Sequence, residues 1–148
     1  SPFGPHTKIG RSQRKILKPA LTFNSSLALI KQINSGNYVG YGGTYLAKQD
    51  ENIGILTAGY NEGLPWKLSN RASLLLHQTE SPIIGNISMN MTTIKIPRTI
   101  KANVGDKVTV ISPNINNSCS LYKLASILDT IPYTILTGLH PSIRRTIL

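Results

Sequence analysis

Residues 82–96 read Pro-Ile-Ile-Gly-Asn-Ile-Ser-Met-Asn-Met-Thr-Thr-Ile-Lys-Ile, and the last six decide the fold class. Met91, Thr93 and Lys95 alternate with Thr92, Ile94 and Ile96. A period of two places successive side chains on opposite faces, which is the signature of a strand and not of a helix. Moving outward, short apolar runs recur between turn signals. Leu27–Ile33 precedes the turn Asn34-Ser35-Gly36-Asn37, and the glycine-rich run Tyr38–Ala47 precedes the polar turn Lys48–Asn52. Ile53–Tyr60 follows, then a loop, Asn61–Ser69, containing Gly63, Pro65 and Trp66. Ala72–His77 and Ile83–Met89 are further strand candidates, and Val104-Gly105-Asp106 turns into Lys107–Ile111. Many short strands at this spacing predict a mainly β domain, a Greek-key-type barrel or sandwich.

One short helix is expected. Leu121, Leu124 and Leu128 stand at helical spacing with Ile127 between them, and Ser118 or Ser120 can cap the first turn. Ile131–Leu136 is read as a last strand before the tail Gly138–Leu148. Pro2, Gly4, Pro5 and Gly10 mark residues 1–19 as an irregular segment leading into the β domain of residues 20–148.

Length and composition narrow the classes. The chain has 148 residues, 40% of them apolar, enough for one domain with a true core. It begins with Ser1, so processing or truncation is expected. Its first residues hold no apolar h-region and no run approaches the roughly 18–20 residues of a membrane span, so neither a signal peptide nor a membrane partner is expected. The lone Cys119 excludes an internal disulfide and suits a reducing cytoplasm. His6, His77 and His140 are far apart and predict no metal site. The net charge of +10 raises nucleic acid as a partner, but only Lys8, Arg11, Arg14, Lys15 and Lys18 cluster. Lying among Gly and Pro, they read as a solvated arm or a face for another domain rather than a binding groove.

Four stretches in order resemble the C-terminal domain of alanine racemases. They are YVGYGGTY at 38–45, AGYNEGLPWKLSN at 58–70, PIIGNISMNMTTIKI at 82–96, and VGDKVTVI at 104–111 continuing to IPYTILTGLHPSIRR at 131–145. Each piece is weak alone, but their order and spacing are specific: Tyr41 and Tyr60 stand 19 positions apart, as the family's paired tyrosines do. The resemblance implies a β domain that works with an N-terminal (β/α)8 barrel carrying pyridoxal 5'-phosphate (PLP) on a lysine. It also implies a head-to-tail homodimer that interconverts L- and D-alanine for peptidoglycan precursors, each site combining one subunit's barrel with the other's β domain. No barrel or PLP-lysine motif occurs in these residues, so the chain alone is expected to be inactive and not to hold PLP.

The resemblance also implies roles for individual residues. Racemisation removes a proton from one face of a carbon and returns one to the other, which calls for two bases. Tyr41 resembles the tyrosine base, flanked by Gly40, Gly42 and Gly43, which let backbone approach a ligand. Tyr60 resembles a second tyrosine at the substrate entrance. Met89 resembles a methionine whose backbone N–H meets the substrate carboxylate. Tyr133 resembles the tyrosine that binds the PLP phosphate. Without the resemblance, Tyr41 would read as a core aromatic and Met89 as a buried strand methionine. Asn86 and Asn90 replace the family's usual arginine and aspartate, Glu62 a usual aspartate, and Trp66-Lys67 the region of an arginine. Two other readings stay open: a basic β module binding nucleic acid by stacking on tyrosines, and a racemase of this fold acting on another amino acid.

Overall fold

A computed structural model describes residues 20–146; the segment 1–19, with its basic cluster, and the last two residues lie outside the described residues. Eight strands follow in order: β1 (Phe23–Ile33), β2 (Tyr38–Val39), β3 (Tyr45–Leu46), β4 (Glu51–Leu56), β5 (Ser73–Leu76), β6 (Thr79–Pro82), β7 (Thr92–Lys95) and β8 (Lys107–Ile111). Two short helices close the chain, α1 (Leu121–Ile127) and α2 (Pro132–Thr137). Six strands form one antiparallel sheet in the order β6-β5-β8-β1-β4-β7, and β2 pairs β3 in a separate hairpin.

The six-stranded sheet curls until its ends meet. An Ile83–Ile94 bridge and the Ile84 N–H to Thr93 carbonyl bond, 3.0 Å, join the end of β6 to β7. This nearly closes a barrel and leaves little free edge. β1 makes the curl possible by serving two partners: Phe23–Ser26 pair with β8, and Leu27–Ile33 pair with β4 across a register shift at Leu27/Leu29. Such an irregularity bends a strand and increases its twist. The β5–β6 turn is two residues, His77 and Gln78, both with positive φ, the turn hand that matches strand twist.

The period-two pattern fills the barrel. On β7, Thr92 and Ile94 are buried while Thr93 and Lys95 are half-exposed. Leu56, Leu74, Leu76, Ile94, Val108 and Val110 are fully buried in one core, which α1 caps with Leu121, Leu124 and Ala125. A smaller core of Ile33, Val39, Ala47, Ile53 and Ile84 lies against the β2–β3 hairpin.

Three expectations are corrected. Ile131–Leu136 is not a strand, because Pro132 starts a helix there, so the described residues hold two α-helices rather than one. A proline at the first helical position has its φ already set and loses no needed N–H. Ile83–Met89 is not a strand either: beyond the bridge at Ile83 it is irregular, and Gly85 has a φ of 75°. Tyr38–Ala47 contributes only two-residue strands around a loop. The expected helix is present, with Ser120 accepting from the Lys123 N–H as its N-cap.

Leu56 sits between β1 and β7 with no exposed surface. Leu56→Ala should cost about 2–5 kcal/mol, as a cavity in a closed core does. Urea denaturation checks this; a cost below about 1 kcal/mol would show that the barrel interior is not the main source of stability.

Candidate functional site

The glycine-rich loop between β2 and β3 carries Tyr41. Gly40, Gly42 and Gly43 all have positive φ, and the Gly43 N–H bonds back to the Gly40 carbonyl at 3.1 Å. This backbone path turns Tyr41 outward: the residue is 88% exposed, which removes the core-packing alternative. Its hydroxyl makes no hydrogen bond among the described residues.

The loop is fixed from the segment 85–87. A Cβ on Gly40 would stand 2.7 Å from the Asn86 nitrogen, and one on Gly85 would stand 2.7 Å from the Val39 carbonyl oxygen. The two main chains therefore touch where no side chain fits. Asn70 reaches both partners. Its Oδ1 accepts from the Gly85 N–H at 2.7 Å, and its Nδ2 donates to Thr44 Oγ1 at 3.0 Å. Asn70 has a φ of 59°, a region that asparagine tolerates better than most residues. Ser69 Oγ accepts from the Ile87 N–H at 2.8 Å and donates to the Trp66 carbonyl at 2.6 Å. Asn86 Nδ2 donates to the Tyr41 carbonyl at 2.9 Å.

Tyr60 and Met89 lie on adjoining turns. The Tyr60 and Asn61 N–H groups donate to the Ser88 and Met89 carbonyls at 3.0 and 2.9 Å. Gly59 permits this, since a Cβ there would overlap the Ser88 carbonyl. Both residues are 51% exposed, so Met89 is not a buried strand methionine, and its N–H has no partner among the described residues. Glu62 has a local task, accepting the Gly59 N–H at 2.8 Å. The same turn supports the chain beyond α2: the His140 N–H donates to the Glu62 carbonyl at 3.2 Å, and Gly63 packs on Gly138 and Leu139. Tyr133, in the first turn of α2, is 66% exposed, and its hydroxyl is also unpartnered among the described residues.

One line of main-chain contacts thus joins the Tyr41 loop to 85–89, to the Tyr60 turn and to the exit of α2. Of the four sequence-predicted site residues, Tyr41, Met89 and Tyr60 sit on this succession, Tyr133 lies at the opposite end of α2 from its exit, and all four are exposed. Sequence reasoning missed the residues beneath them. Ser69 and Asn70 were visible only as part of a matching stretch, and nothing local pairs Asn86 with residue 41. Also missed was a polar group under the hairpin: Glu51, 6% exposed, accepts from Tyr45 Oη at 2.8 and 3.0 Å and from Lys95 Nζ at 3.0 Å. Burial, then the bond to Glu51 and its charge, pushes the Tyr45 phenol up to about 12. The Cys119 thiol is buried and pushed up to about 11, mainly by burial. No cluster of three potential metal ligands occurs among the described residues, and no helix there is long and apolar enough to cross a membrane.

The family model of the alanine racemase C-terminal domain matches residues 20–147. The alanine racemase of Methylacidiphilum infernorum is 36% identical over 132 residues, covering 89% of this chain and 34% of that protein. The crystal structure of alanine racemase from D-cycloserine-producing Streptomyces lavendulae superposes with a TM-score of 0.86 at 26% identity, over 100% of this chain and 37% of the other. That of the Bartonella henselae alanine racemase, with covalently bound pyridoxal phosphate, gives a TM-score of 0.77 at 26% identity over 84% and 34%. The chain therefore spans about a third of the length of such relatives.

The hairpin's polar underside predicts an alkaline weakness. Folding raises the Tyr45 pKa from 10.0 to about 12, so the fold favours the neutral phenol. That contribution is complete below pH 10 and is lost as pH rises towards 12. Cys119, raised from 9.0 to about 11, acts with the same sign over a lower window. Tyr45→Phe should therefore flatten the fall in denaturation midpoint between about pH 10 and 12 while leaving the Cys119 share. An unchanged alkaline profile would show that the Tyr45–Glu51 contact is not formed in solution.

Proposed function

This chain belongs to the alanine racemase C-terminal domain family, and from that premise we propose that it is the β domain of a PLP-dependent enzyme interconverting L- and D-alanine, with Tyr41 as one of its two bases. The observation that carries the reading is the presentation of Tyr41: a phenol set outward by three left-handed glycines, held by its own main chain, with an unpartnered hydroxyl. A core aromatic needs none of this. The supply of D-alanine for peptidoglycan precursors and a cytoplasmic location belong to the same proposal.

PLP, when bound, supplies an electron sink that makes the α-proton of an amino acid removable. The chain's own residues suit a part of such a site. The Tyr133 hydroxyl is exposed and free to donate to a phosphate oxygen, and the unpartnered Met89 N–H is free to meet a substrate carboxylate. Tyr60, beside Met89, lines the approach. Tyr41 holds or takes the proton on one face of the α-carbon. A free phenol has a pKa near 10, so a phenolic base at neutral pH needs cationic or hydrogen-bonding neighbours. No described side chain bonds the Tyr41 hydroxyl, so those neighbours belong to the barrel of a partner subunit. The exposed set Tyr41, Tyr60, Met89 and Tyr133 is then a face completed by that barrel in a homodimer.

Two tests follow. In the full-length enzyme Tyr41→Phe should slow removal of the α-proton from L-alanine by on the order of 100- to 10,000-fold. Removal from D-alanine, served by the lysine of the opposite face, should change far less. Proton–deuterium exchange from each enantiomer in D2O separates the two, because net racemisation with an equilibrium constant of one falls equally in both directions. Wild-type rates from both enantiomers would reduce Tyr41 to a surface residue.

The second test concerns the 148 residues alone. Lys95 is paired with Glu51, and Lys123 Nζ donates to the Asn116 carbonyl. The remaining described lysines, Lys31, Lys48, Lys67, Lys101 and Lys107, are exposed. None stands in the desolvated surroundings that suit a cofactor-bearing amine. Mixed with PLP, the isolated chain should show no specific visible absorbance band and form no D-alanine from L-alanine. Activity on adding a separately made barrel domain would support the reading, and a band with turnover from the chain alone would overturn it.

A further inference from the structure

The Asn86–Tyr41 contact reaches beyond the two bases. Asn86 is half-buried, and its Nδ2 donates to the main-chain carbonyl of Tyr41 at 2.9 Å across 45 positions of sequence. The donor is itself held on both sides: the preceding N–H, of Gly85, is bound by Asn70 Oδ1, and the following one, of Ile87, by Ser69 Oγ. The acceptor lies on a loop of low intrinsic order. Three of its four residues, 40–43, are glycines with positive φ, and the loop's one internal hydrogen bond is from the Gly43 N–H to the Gly40 carbonyl. Glycine loses more conformational freedom on ordering than any other residue, so such a loop depends on outside ties. The Gly40–Gly85 contact fixes where the loop begins, and Asn70 fixes Thr44 beyond its end. Asn86 is the tie on the residue that carries the phenol.

We propose that Asn86 is a positioning residue for Tyr41: its side-chain amide, set by Ser69 and Asn70, holds the peptide carbonyl of the base and so fixes where the phenol stands. This rests on the assignment of Tyr41 as a base. It gives Asn86 a task distinct from that of a charged residue lining an entrance. The hydrogen bond needs a short donor reaching 2.9 Å to a carbonyl, which asparagine supplies with two rotatable bonds. A carboxylate of the same shape has no donor and would turn an oxygen towards the carbonyl oxygen. Small misplacement of a catalytic group is expensive even when the fold is intact, so the effect should appear in proton transfer rather than in stability.

The test uses the full-length enzyme with Asn86→Asp and Asn86→Ala, alone and combined with Tyr41→Phe. Loss of α-proton to D2O from L-alanine should slow about tenfold, the size one hydrogen bond supports, while loss from D-alanine stays within about twofold. In the Tyr41→Phe background neither Asn86 variant should add a further effect, because positioning acts only through the base. Amide exchange read by mass spectrometry should quicken in the peptide covering 38–46 and stay unchanged in that covering 107–111. Asn86→Gln, which keeps a donor, should recover part of the rate. Equal slowing from both enantiomers, a further loss in the Tyr41→Phe background, or unchanged exchange at 38–46 would overturn the proposal. If Tyr41→Phe is asymmetric and the Asn86 variants are not, the positioning role falls and the base assignment stands. If Tyr41→Phe leaves both rates at wild type, the base assignment falls and takes the positioning role with it.

Discussion

Two backbones touch at Gly40 and Gly85, and the rest of the site depends on that contact. Both glycines have left-handed φ, and each lies where a Cβ would come within 3 Å of the other segment's main chain. A main-chain contact of this kind is short and stiff, since it contains no rotatable side chain. It fixes the β2–β3 hairpin on the stretch 85–89, whose Ser88 and Met89 carbonyls in turn receive the Tyr60 turn. The barrel is what makes the contact possible. Closure at Ile83 and Ile94 ends only two residues before Gly85, so the segment leaves a rigid wall and has little freedom to drift.

The division of labour between the two cores follows. The larger core fills the barrel and is almost wholly aliphatic. The smaller one lies under the hairpin and is finished by a polar group, Tyr45–Glu51–Lys95, instead of more aliphatic packing. A buried carboxylate is tolerated only when its partners are complete, and here one oxygen takes the lysine while both take the phenol. Completeness of this kind ties β3, β4 and β7 to one geometry. The hairpin bearing Tyr41 is therefore anchored by a network that specifies position, which an aliphatic contact of equal area does less sharply.

The legible parts of the sequence were those with local physics. The alternation in 91–96 matches β7, the turn Val104-Gly105-Asp106 opens onto β8, and the leucine spacing with Ser120 matches α1 and its cap. Ile131–Leu136 is helical from Pro132 although its β-branched residues suit a strand, because that proline is a stronger local signal able to begin a helix. Ile83–Met89 misled because its isoleucines are indeed buried, but through irregular backbone held by side chains from 69 and 70. The tyrosines were singled out by resemblance alone, through their order in sequence, and nothing local marks them as exposed. Their supports were not legible. A bond from Asn86 to residue 41, or from Asn70 to Thr44, joins positions 45 and 26 apart, and no periodicity records such a pair.

The departures from the family's charged pattern also acquire a physical reading. Glu62 in place of aspartate still caps its own turn, the longer side chain reaching the Gly59 N–H. Asn86 in place of arginine bonds a carbonyl of its own domain, and Asn90 is exposed. Replacing an arginine and an aspartate together leaves the local net charge unchanged. What changes is the range of the forces at this face. Charges act over several ångströms and steer ions, whereas amides act only on contact. A face built this way holds the Tyr41 loop through close hydrogen bonds and glycine contacts.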